Sequence, residues 1–125
     1  MTLRSLDPAV LRAAWWTLRA VRHAERELEH EPLDRVMATL PPVPALPDRA
    51  GRGVHAVLRR RDDTCLERAV VLQAWEAAHG RRHDLVIGVT SPRDGFRAHA
   101  WLDHERVSPE FAELMRRAPV APGPS

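Results

Sequence analysis

The chain holds a single cysteine in 125 residues and no lysine; all 19 of its basic residues are arginine. One cysteine excludes an internal disulfide. A lone thiol fits a reducing compartment, where it is a candidate nucleophile rather than a staple. No apolar run approaches the roughly 20 residues that span a bilayer, and the N-terminal residues lack the uninterrupted apolar block of a secretory signal. A cytoplasmic protein without stable membrane insertion is expected. The missing lysine matches a GC-rich coding sequence, in which arginine codons are favoured. The formal net charge is only +2, and acids lie among the arginines: Arg59, Arg60 and Arg61 are followed at once by Asp62 and Asp63. Counterion-release binding needs a concentrated basic face, so nucleic acid is not an expected partner. With no second cysteine and no HExxH pattern, neither a metal site nor a cofactor is expected.

What is present suits one folded domain. Hydrophobic residues make up 44% and charged residues 29%, and a chain of this size buries roughly two-thirds of its unfolded surface. Residues 8 to about 30 predict a helix, with Asp7 as cap and Pro8 at the first helical position. Its apolar stripe reads Leu11, Trp15, Leu18, Val21 and Leu28. The adjacent Trp15 and Trp16 point about 100° apart, and core packing is their expected role, with a partner-binding edge as the alternative. A short helix over 33–39 precedes Pro41, Pro42, Pro44 and Pro47, which force an extended connector over 41–47. A weak helix is expected over 50–60. Cys65 then opens a helix that is apolar on more than one side and therefore buried, capped by Thr64 or Asp63 and ended by Gly80. Residues 85–90 and 96–102 read as strands around turn residues 91–95. A third strand over 106–108, returning as a hairpin, and a short helix over 109–117 complete the reading. The whole is α+β: N-terminal helices packed with a small antiparallel sheet. The domain is expected to cover residues 1–117, with a helical region over residues 1–60, a helix-and-sheet region over residues 61–117, and a flexible tail, 118–125, beyond it.

The helix-and-sheet region carries chemistry. Nucleophilic sulfur must be a thiolate, and a free thiol titrates near roughly 8.5. A helix N-terminus favours the negative charge, and so does a neighbouring imidazolium. Cys65 is placed for the first, and its N–H faces where an oxyanion would form. For the second, His99 stands out among seven histidines. It lies in an apolar strand between Ala98 and Ala100, where an idle imidazole is costly to bury. Trp101 shares its face by the period of two, and could shelter the pair or meet a substrate.

At these residues the sequence resembles the transglutaminase-like cysteine proteases of lasso-peptide biosynthesis. The motifs are Cys65, Leu66, Glu67, Arg68 and Ala69 (C-L-x-R-A), then Ile87, Gly88 and Val89 (I-G-V), then Ala98, His99, Ala100 and Trp101 (A-H-A-W). The resemblance covers about 62–107. It implies a papain/transglutaminase-like fold and a leader peptidase that cleaves a ribosomally made precursor peptide. It also implies a separate leader-recognition protein and an ATP-dependent cyclase as partners. Cys65 would be nucleophile, His99 general base, and an acidic residue would orient the imidazole. Asp103 lies roughly 13 Å along the strand from His99 at 3.3 Å per residue. A hairpin with His104 and Glu105 as its turn would instead set His99 opposite Glu110, within reach at about 5 Å between Cβ atoms. Glu110 is the expected third residue, with Asp103 the alternative. Two further readings stay open: a non-catalytic peptide-binding module on the same fold, and another amidase or acyl transferase.

Overall fold

A computed structural model describes residues 7–120. Helix α1, Pro8–Glu27, starts where expected: the Asp7 carboxylate accepts from Ala9 N at 2.9 Å and Pro8 follows it. The Arg49 guanidinium and the Ala9 N–H together hold the Asp7 carboxyl below its usual range. The buried face of α1 matches the expected stripe only in part: Val21 is buried and Leu28 packs against the core. Leu11 and Trp15 are 50% and 63% exposed, whereas Ala13, Trp16, Thr17, Ala20, Val21 and Ala24 are buried. The reason is close approach. At Gly53 of helix α3, Gly51–Arg60, an added Cβ would stand only 2.2 Å from the Val10 carbonyl oxygen. Backbones that near demand alanine and glycine at the contact, so small residues form the face and Leu11 is turned outward. Of the tryptophan pair, only Trp16 is core.

Helix α2, Leu33–Thr39, leads into the extended connector, which Trp16 ties down by donating its indole N–H to Pro41 O at 3.0 Å. Helix α4, Cys65–Ala78, carries a full capping box. Thr64 Oγ1 accepts from Glu67 N, and the Glu67 carboxylate accepts from Thr64 N, both at 3.1 Å. Gly80, at φ +86°, takes the left-handed turn after the helix. Ala69, Val70, Val71, Leu72 and Trp75 are all buried, as its two-sided apolar pattern requires. Trp75 packs on Trp16 with ring centroids 5.7 Å apart.

The sheet has three antiparallel strands in the order β2–β1–β3: β1 Leu85–Val89, β2 Ala98–Leu102 and β3 Ala112–Arg117. Gln73 of α4, itself buried, donates from Nε2 to His83 O and Arg117 O, fastening the helix to both the start of β1 and the end of β3. Leu85, Ala100 and Leu102 join the helical core, with Ile87 packed against it. The alternate residues Val86, Gly88, His99 and Trp101 occupy the opposite face, with Gly88 paired to His99 and Val86 to Trp101.

The C-terminal region departs from expectation. No strand forms over 106–108, and residues 112–117 are a strand rather than a helix, paired with β1 and not β2. The central strand has a second edge to satisfy, and this segment crosses over to supply it. Residues 103–111 are the crossing. Of the expected tail, 118–125, Pro119 is buried and its carbonyl accepts from Arg82 at 3.3 Å, while Ala118 and Val120 are exposed; residues 121–125 lie outside the described residues. The α+β class holds. No helix among the described residues is long and apolar enough to cross a membrane.

Candidate functional site

The capping box fixes where α4 begins and so where Cys65 stands: at the first helical residue, partly exposed, with a free thiol. Among the described residues, the N–H groups of Cys65 and Leu66 have no hydrogen-bond acceptor, as the first turn of a helix leaves them. Both remain available to an oxyanion. The sulfur itself accepts a hydrogen bond from Ala100 N at 3.4 Å. β2 is an edge strand, and this N–H lies on its unpaired side. The thiol therefore sits against the open edge of β2, one residue from His99.

His99 is half-buried rather than sealed in a core. Its imidazole stacks on Trp101 with centroids 5.7 Å apart and meets Phe111 at 5.4 Å. Phe111 is the residue sequence reasoning missed. It lies in the crossing segment, and no local pattern shows that the crossing passes over His99. Gly88 is what lets Trp101 lie flat beneath this cluster: an added Cβ would be 2.6 Å from Trp101 Cη2. Trp101 is only 8% exposed, so it offers a substrate little surface and chiefly supports the imidazole. No hydrogen bond joins Cys65 Sγ to the His99 ring among the described residues. The two are neighbours around the edge of one strand, the sulfur at the rim and the ring on the face.

The hairpin that would set Glu110 opposite His99 does not form, because β3 pairs with β1. Glu110 is exposed and its carboxylate accepts from Arg97 Nη2 at 2.7 Å. Arg97 lies two residues before His99, and its guanidinium sits over the Phe111 ring, 5.5 Å from the centroid. Glu110 thus stays beside the aromatic cluster but does not bond the imidazole. Asp103 is engaged elsewhere, with His83 at 3.6 Å and Arg116 at 3.4 Å.

Arg68, one turn into α4, makes a two-pronged pair with Glu105 at 3.4 and 3.0 Å. Glu105 also accepts from Leu102 N at 2.9 Å. Burial acts to raise the pKa of Glu105, yet Arg68 and the Leu102 N–H outweigh it and hold the carboxyl below its ordinary value. This pair locks the N-terminal end of α4 to the end of β2.

Among the described residues, three groups of side chains could offer a metal three ligand atoms within 4.8 Å of one another: His83, Asp103 and His104; Glu27, His30 and Glu31; and Glu25, Asp63 and Glu67. In the first, Arg116 already holds Asp103 and the imidazoles are stacked 3.8 Å apart. In the third, Arg61 bridges Glu25 and Asp63 at 3.1 Å each, leaving the second oxygen of Asp63 buried and unpartnered. The chain's own cations already serve carboxylates of these two groups.

A family model described as the transglutaminase-like superfamily matches residues 4–118. No curated protein and no solved structure matches.

Proposed function

The chain belongs to the transglutaminase-like superfamily, and from that premise we propose that it is a cysteine peptidase that removes the leader from a ribosomally made lasso-peptide precursor in the cytoplasm. The observation that carries the chemistry is the Cys65 sulfur resting 3.4 Å from Ala100 N, beside His99, at the free start of a capped helix. The motifs C-L-x-R-A, I-G-V and A-H-A-W, which resemble those of lasso-peptide proteases, support the substrate class.

In this reading the His99 ring turns from its aromatic seat toward the strand edge as substrate binds. Hydrogen bonds of this kind are often long or absent before substrate arrives. His99 takes the thiol proton, and the Cys65 sulfur attacks the scissile carbonyl carbon. The N–H groups of Cys65 and Leu66 receive the developing oxyanion. As the C–N bond breaks, His99 returns the proton to the leaving amine, which becomes the new amino terminus of the core peptide. Water, deprotonated by His99, then hydrolyses the thioester, releasing the leader's carboxylate and restoring the thiol. Glu110, which Arg97 holds beside Phe111 with no bond to the imidazole, takes the orienting role only by exchanging that guanidinium for the turned His99 ring. A separate leader-recognition protein presents the precursor, and an ATP-dependent cyclase consumes the freed core.

The test is cleavage of a lasso-type precursor peptide, with and without a leader-binding protein added, followed by mass spectrometry. Cys65→Ala and His99→Ala should each abolish cleavage while the fold melts normally, since the two act as a unit. Glu110→Gln should lower kcat with KM little changed. Retained cleavage by Cys65→Ala would end this proposal. A second reading, a non-catalytic peptide-binding module, draws on the lack of a bond between Cys65 and His99. It predicts that iodoacetamide labels Cys65 at pH 6 no faster than a model thiol, and that His99→Ala leaves that rate unchanged.

A further inference from the structure

Helix α1 shows two unlike faces. Its alanine face is buried against α3 and α4, and the opposite side carries Arg12, Trp15, Arg19, Arg22 and Arg26. At 100° per residue these five fall within an arc of roughly 80°, and they run for about 21 Å along the helix. All five are exposed, Trp15 by 63%. None of the four guanidinium groups is ion-paired among the described residues. Arg49, Arg61, Arg68, Arg81, Arg97, Arg116 and Arg117 each hold a carboxylate, and among the described residues other arginines such as Arg59 and Arg60 of α3 do not; what sets α1 apart is that its four lie in one stripe. The nearby acids of α1 are engaged elsewhere, Glu25 with Arg61 and Glu27 with His30.

Beside the first half of this stripe lies a groove of about 370 Å³, walled by Leu11, Trp15, Pro42 and Pro44 and edged by Arg12 and Arg19. The proline connector is anchored there by Trp16, so the groove is preformed. An exposed tryptophan beside prolines offers apolar area at low entropic cost, and tryptophan and arginine are the residues most enriched where binding energy concentrates. The groove holds two arginines and no acid.

We propose that this face of α1 docks an acidic segment of a partner protein, with one large apolar side chain of that segment seated in the groove and its carboxylates along the arginines. A partner fits better than the substrate, because the stripe points away from α4, whose start carries Cys65. Nucleic acid would also meet the arginines, but a groove walled by leucine, tryptophan and proline calls for an apolar side chain. The proposal is independent of cleavage.

The test uses the full chain and a fluorescein-labelled 15-residue peptide of glutamate and serine with one central leucine, read by anisotropy at low and at physiological salt. Arg12→Glu with Arg19→Glu should weaken binding at least about tenfold, in line with rim charges that steer and hold a partner. Trp15→Ala should weaken it about fivefold or more, the loss of a groove anchor. Arg12→Lys with Arg19→Lys should bind nearly as well as the parent. Replacing the peptide's glutamates by glutamine should abolish binding, and more salt should weaken it. Equal binding of the glutamine peptide, parent-like binding by the glutamate variants, or tighter binding of an oligothymidine of equal charge would each overturn the proposal. Should the variants melt, the indole N–H resonances of the parent decide. The acidic peptide should shift the Trp15 signal and leave that of Trp75 in place, and the reverse pattern would overturn it too.

Discussion

Gly88→Ala is the sharpest test of how the site is held. Gly88 lies in the central strand opposite His99, and its backbone needs no positive φ; what it supplies is space. An added Cβ would stand 2.6 and 2.9 Å from two atoms of the Trp101 ring and 2.9 Å from Ala112 O. The carbonyl belongs to β3, whose register already shifts between Ile87 and Gly88, so the indole must yield. Ordinary carbon contact at 3.5 to 4.0 Å requires it to move by about 1 Å. It is buried, with His99 and Phe111 as ring neighbours, so the imidazole moves with it. Overpacking of this kind costs about 1–3 kcal/mol, against a total stability of roughly 5–15 kcal/mol. For a domain of this size that lowers Tm by roughly 4–12 °C. The assay is thermal melting by circular dichroism, with the iodoacetamide labelling rate of Cys65 as a readout of the site. Trp101→Leu removes the obstructing ring. The double variant should therefore lose less than the sum of the singles by about 1 kcal/mol, within the range for residues in contact. Melting within about 1 °C of the parent, far less than a clash implies, or strict additivity of the pair, would refute the reasoning.

Glu105→Gln tests the lock between α4 and β2. A carboxyl held below its ordinary pKa contributes stability that is full above that value and lost as pH falls through the folded one. The parent should therefore lose Tm as pH falls through and below the ordinary glutamate range. The variant should start lower at pH 7, by about 1–2 kcal/mol for charged hydrogen bonds, and show a shallower acid slope; parallel slopes would contradict the assignment. Gln73→Leu leaves the half-buried carbonyls of His83 and Arg117 without their donor. At about 1–3 kcal/mol for each stranded group, urea unfolding should show a loss of several kcal/mol, and a loss near zero would mean that water replaces the amide.

The regions of the fold legible in the sequence are those fixed by local chemistry. Thr64, one of the two expected caps, marks the start of α4, Gly80 marks its end, and the prolines forbid a helix over 41–47. Two regions were decided by tertiary context. In α1, hydrophobic periodicity gave weight to Leu11 and Trp15, because alanine counts for little in such patterns. Yet it is alanine that lets α3 approach to the distance seen at Gly53. In 112–117, Ala, Glu, Leu, Met and Arg all favour a helix. An open edge of β1 overrode that preference, as strand formation depends on its neighbours more than on residue type. The same event removed the expected hairpin and with it the pairing of His99 with Glu110. The sequence set Cys65 at a helix start and His99 on a nearby strand, and the structure brings the sulfur to Ala100 N, beside His99. Which side of the strand the sulfur meets was not legible, because residue periodicity assigns side chains to faces and says nothing of an edge.

That edge gives the flanking motif residues a mechanical sense. Arg68 reaches Glu105, which in turn takes the Leu102 N–H, so one end of β2 is clamped to α4. Cys65 meets Ala100 N two residues back along the same strand, and Ala69, fully buried, lets α4 lie close against the core. On the sheet's other face, Gly88 makes room for Trp101, and Trp101 supports His99. The thiol is thus registered to the strand by backbone and ion pair, while the imidazole is registered to the same strand by ring packing. Among the described residues the thiol and the imidazole have no bond to each other, yet neither can shift along β2 without breaking contacts that belong to the other motif residues. Substitutions at Arg68 and Gly88 should therefore alter the reactivity of Cys65, the first from the strand's edge and the second from its face.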